Sequence, residues 1–135
     1  MTPEAHLAKA ARIERSLARL EPRDYEIRID GAMLAANHYV NRALHILGLR
    51  SEDADIVHTE YLVAIDLTRF RLMAPKLLEA LEGIERLRAP FVRGGAPGGF
   101  AAGEAALGLL AQAKAASGDV RAPDLVIADY TAARR

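Results

Sequence analysis

Apolar residues recur by threes and fours through most of the chain, the period of helices that each turn one face to a core. Leu7, Ala10, Ile13, Leu17 and Leu20 draw the first such face, with Arg12, Arg15 and Arg19 around the other side. Thr2, Pro3 and Glu4 offer an N-cap, a first-turn proline and an acid at the positive end of the dipole, so a helix should start at once and stop at Pro22. Asp24 then caps a second helix over residues 25–47, where Tyr25, Ile29, Met33, Ala36, Val40, Leu44 and Leu47 give the strongest periodicity in the chain. This is the expected central helix. Gly48 suits the left-handed position that ends it, with Leu49 folding back.

Ser51, followed by Glu52, Asp53 and Asp55, reads as the cap of a third helix that turns Ile56, Val63, Leu67 and Phe70 inward, although the run Tyr61–Ile65 favours a strand. Pro75 opens a fourth, with Leu77, Leu81, Ile84 and Phe91 at helical spacing and an end near Pro90. Gly94-Gly-Ala-Pro-Gly-Gly99 reads as a mobile linker. An Ala-rich helix from about Ala101 to Ser117 follows, with Leu107, Leu110 and Ala111 inward and Gly118 as its stop. The prediction is an all-α, up-and-down bundle of four main helices plus a short or broken fifth, in one domain over 1–118. A C-terminal tail, 119–135, carries an apolar patch at Leu125, Val126 and Ile127.

Composition narrows the chemistry. Eighteen basic residues balance eighteen acidic ones over 135 residues, so any contact with nucleic acid has to come from a local patch. The absence of cysteine removes disulfides, thiolate nucleophiles and cysteine-ligated metals. No membrane-length apolar run and no signal-like N-terminus occur, which makes a cytoplasmic protein with no membrane partner the expectation.

Advancing by about 100° per residue, Asp30, Asn37, His38, Asn41 and His45 share one sector of the second helix, turned away from its apolar stripe. Such a strip can be a solvated or hydrogen-bonded face, a subunit contact, a nucleotide site or part of a metal site. The Glu-x-x-His pairs of di-iron bundles are missing, and Asp55-x-x-His58 is the nearest approach. Arg69, Arg71, Arg86, Arg88 and Arg93 form a second cluster, a phosphate patch unless Glu79, Glu82 and Glu85 neutralise it in surface ion pairs. The glycine linker lacks the Lys-Ser/Thr of a phosphate-binding loop, and no nucleophile motif is present.

The order of features resembles the HEPN superfamily of small helical bundles over roughly residues 25–115. The similar parts are Asp30-Gly-Ala-Met-Leu-Ala-Ala-Asn-His38, the Gly48 turn, Asp55-Ile-Val-His58, the Leu87-Arg88 step and the Ala-rich helix from Glu104-Ala105. That resemblance implies a homodimer, a role such as toxin–antitoxin or defence, and, in active members, metal-independent RNA cleavage by an arginine and a nearby downstream histidine. Arg88 matches the arginine, but Ala89 to Gly95 contains no histidine, so the chain is more similar to inactive, binding members.

The resulting expectation is a non-enzymatic HEPN-like bundle that dimerises and binds nucleotide, RNA or a protein partner. Its ligand or interface residues are Asp30, Asn37, His38, Asn41, His45, His58 and Arg88, with no catalytic residue, metal ligand or cofactor assigned. Two alternatives stand beside it: a ribonuclease pairing Arg88 with a displaced histidine, and a metal-binding bundle using His38, His45 and His58.

Overall fold

The Thr2 hydroxyl accepts a hydrogen bond from the Ala5 amide at 3.1 Å, and with Pro3 in the first turn this starts α1, Pro3–Leu17. Four further helices follow in a computed structural model that describes residues 1–123: α2, Tyr25–Ile46; α3, Ala64–Met73; α4, Pro75–Arg88; and α5, Gly99–Gly118. Among the described residues there is no strand, and no helix is long and apolar enough to cross a membrane. The chain is an all-α helical bundle.

The second helix is central because it packs on three neighbours, α1, α5 and α4. It buries Ile29, Met33, Tyr39, Val40 and Leu44, while Ala32, Ala35, Ala36 and Ala43 keep its surface small enough for those neighbours to close in. Phe70, Leu77, Leu78, Leu81 and Ile84 fill the core from the other side. Two polar ties cross it: the Tyr39 hydroxyl donates to Glu14 at 2.8 Å, and Arg42 donates to the Ser117 carbonyl at 2.7 Å.

Three elements depart from the periodicity. The short helix is α3, whereas the last one runs for 20 residues. The third helix also begins at Ala64, well after Ser51, because side chains of α2 bind the backbone of residues 56 and 57 and Val63 is extended. Its one buried residue is Phe70. Finally, Gly94–Gly99 is held: the Gly94 amide donates to the Ala89 carbonyl and the Ala96 amide to that of Pro90, closing a π-turn over Ala89–Arg93. Gly98 then takes a left-handed φ of 95° to aim α5 back along α2. The patch at Leu125, Val126 and Ile127 lies outside the described residues.

Candidate metal centre

His45 closes the polar sector of α2, one turn before Gly48 bends the chain at φ 71°. The bend brings the Arg50 carbonyl to 2.9 Å from His45 Nδ1, and the Arg50 guanidinium donates to the Ala54 carbonyl at 2.8 Å, which tightens the following turn. Asn41, buried within α2, brackets Ile56: its amide donates to the Ile56 carbonyl at 2.8 Å and its oxygen accepts from the Ile56 amide at 2.7 Å. Asn37 donates to the Val57 carbonyl. These bonds fix the segment in front of α2 and bring Asp55 over His45.

His6 arrives from α1, 1% exposed beneath the same spot. Its Nε2 lies 3.0 Å from Asp55 Oδ1 and 3.3 Å from His45 Nε2, while His45 Nε2 lies 2.7 Å from that carboxylate oxygen. Three ligand-type atoms therefore converge, and His38 stands behind them with its Nδ1 2.9 Å from His6 Nδ1. The Met1 ammonium donates to the other Asp55 oxygen at 3.2 Å.

The proton count of this cluster decides what it can hold. A carbonyl only accepts, so His45 carries a hydrogen on Nδ1, and its Nε2 faces a carboxylate that is itself an acceptor. A positive species, either a proton or a metal ion, has to lie between them. An ion placed about 2.1 Å from all three atoms would sit roughly 1 Å off their plane and see them at angles averaging near 90°. That is the facial arrangement of two histidines and one carboxylate. Burial pushes the His6 and His38 imidazoles below their ordinary pKa, which keeps them neutral and able to bind a cation. Burial pushes Asp55 up, but its polar contacts with His45, His6 and the Met1 ammonium outweigh it and hold the carboxyl below its usual range.

Neither a protein-family model, nor a curated protein, nor a solved structure matches the chain.

Of the residues singled out by sequence, His38 and His45 meet in this centre, and Asn37 and Asn41 support it by binding the Asp55 segment. Asp30 lies elsewhere on α2, bonded at 2.7 Å to Arg88 Nε. His58 is outside the cluster and lines a polar cleft of about 260 Å³ with Thr59, Glu60, Glu85, Arg88 and Arg93. The arginine group does not act as one patch, since Arg71 pairs with Glu82 and Arg88 with Asp30.

His6 is not among the candidates that the sequence singles out. The signal was there: His6, Ala10, Ile13 and Leu17 advance by four, three and four, the same column that the inward face of α1 follows, whereas Leu7 is 45% exposed.

Proposed function

We propose that the protein is a metal-binding helical bundle whose centre, His6 Nε2, His45 Nε2 and Asp55 Oδ1, takes one divalent transition-metal ion. The observation that carries this is the convergence of three ligand-type atoms from three parts of the chain, His6 Nε2, His45 Nε2 and Asp55 Oδ1, at 2.7 to 3.3 Å from one another. Imidazole and carboxylate suit zinc, iron, nickel or copper, and the lack of cysteine leaves no thiolate to favour softer ions. Three protein ligands are one fewer than a closed structural zinc site uses, so the ion keeps a coordination position for water or an exogenous ligand. The test is elemental analysis of untagged protein purified without chelators, followed by zinc and cobalt titration. One ion per chain, lost in His45→Ala and Asp55→Asn, supports the centre; substoichiometric metal and no saturable binding eliminate it.

A second reading has its own support, the shared cleft of His58, Arg88 and Arg93. Arg88 spends Nε on Asp30 and keeps its other guanidinium nitrogens for a phosphate, as a HEPN-like homodimer that binds nucleotide or RNA, or cleaves it with a displaced histidine, would require. Glu60 and Glu85 line the same cleft and weigh against an anion there. Structured RNA incubated with the protein in EDTA separates the variants of this reading: cleavage abolished by Arg88→Ala supports the ribonuclease, and binding without cleavage supports the binder. Light scattering at micromolar concentration tests the dimer.

A further inference from the structure

An ion between His6, His45 and Asp55 leaves the imidazole protons no choice. Both Nε2 atoms must turn lone pairs to the ion, so each neutral ring carries its hydrogen on Nδ1. For His45 that hydrogen meets the Arg50 carbonyl at 2.9 Å. For His6, the group within hydrogen-bonding distance of Nδ1 is Nδ1 of His38, also at 2.9 Å. His38 must then offer its own lone pair at Nδ1 and keep its hydrogen on Nε2. A second ion between these two nitrogens is a poorer account, because among the described residues no third ligand atom accompanies the pair.

We propose that His38 is the positioning residue of the metal centre: its Nδ1 accepts the His6 Nδ1 hydrogen and holds the His6 ring with Nε2 aimed at the ion. The inference rests on the metal reading above. His6 is almost wholly buried, so a lost acceptor is not replaced by bulk water. Without His38 the His6 ring either carries an unpaired buried N–H or moves its hydrogen to Nε2, where it can donate to Asp55 at 3.0 Å and no longer binds metal. His38 and His45 lie seven residues apart, two turns along the same side of α2, with the His6 ring between them at 5.2 Å from each.

The direct test is the tautomer. In zinc-loaded, nitrogen-15-labelled protein, long-range proton–nitrogen correlation spectra should show His38 protonated on Nε2 alone and His6 on Nδ1 alone. A hydrogen on His38 Nδ1 overturns the proposal even if zinc binds. Variants supply the second arm, read by chelator competition and by the visible spectrum of the cobalt-loaded protein. His38→Asn keeps an acceptor oxygen near the place of Nδ1, His38→Gln moves it outward, and His38→Ala removes it. Zinc affinity should fall about 10- to 100-fold in the Ala and Gln variants and stay within about threefold, with a wild-type-like cobalt spectrum, in the Asn variant. Equal loss in all three, or no loss in any, refutes the acceptor role. Should His38→Ala fail to fold, the Asn–Gln contrast decides. A wild-type protein that takes up no stoichiometric ion removes the metal reading itself, an outcome distinct from the others.

Discussion

His45 Nε2 and Asp55 Oδ1 stand 2.7 Å apart, while the other ring nitrogen of His45 donates to the Arg50 carbonyl at 2.9 Å. A ring lone pair and a carboxylate this close repel unless a proton or a metal ion lies between them. Because the two residues come from α2 and from the segment after it, and His6 from α1, a cation there ties three separate parts of the chain together.

Binding should therefore appear as stability. A ligand that binds only the folded state adds about 2.7 kcal/mol at a hundred times its Kd, enough to raise Tm by several degrees in a domain of this size. Thermal unfolding with zinc or cobalt in place of EDTA should show that rise in wild type, and Asp55→Asn, which keeps the shape and loses the charge, should abolish most of it. An identical Tm in metal and in EDTA is the contrary result.

Asn41 should matter more than a polar residue on a helix face ordinarily does. It is 3% exposed, and its removal leaves both the amide and the carbonyl of Ile56 without their partner. Asn41→Ala is expected to cost about 2–4 kcal/mol in urea unfolding. It should also weaken zinc binding, since Asp55 is the next residue along. A cost below about 0.5 kcal/mol would mean that the bracket does not hold the segment.

The helices were legible in the sequence because burial imposes a period, and Tyr25 to Leu47 shows it plainly. The centre was only half legible. His38 and His45 stand out as a seven-residue pair on one helix, but Asn37 and Asn41 sit on columns next to that of Leu44, so the polar strip borders the core and is partly buried. Asp55 looked like a first-turn acid of a helix; which carboxylate the segment presents depends on bonds from Asn37, Asn41 and Arg50 that no local pattern encodes. His6 was lost among apolar neighbours, because a histidine continuing an apolar column differs from a surface one only in what another helix brings to it.

Gly99 should not tolerate a side chain. A Cβ there would come within 2.4–2.6 Å of the Tyr25 ring, and an aromatic ring has no flexible end to withdraw. Gly99→Ala is expected to destabilise by about 1–3 kcal/mol in urea unfolding, despite the better helix propensity of alanine. Tyr25→Ala in the same chain should recover part of that loss relative to Tyr25→Ala alone. Simple additivity of the two changes would rule out this contact as the cause.

Tyr39 gives the fold a defined alkaline limit. The residue is 1% exposed and its hydroxyl donates to Glu14 at 2.8 Å; burial first, then that hydrogen bond and the carboxylate charge, raise its pKa well above the ordinary tyrosine value. In the unfolded chain a tyrosine loses its proton near pH 10. Below that pH both states hold the proton and the contribution is fully present. Above it the unfolded state binds fewer protons than the folded one, so stability falls by up to about 1.4 kcal/mol per pH unit until the folded pKa is reached. Tyr39→Phe should lower stability at pH 8 by about 1–2 kcal/mol, as Glu14 loses a donor, and remove this one-proton slope between pH 10 and 11. Urea unfolding of both proteins at pH 8, 10 and 11 tests the sign: a difference between them that does not shrink as pH rises contradicts the assignment.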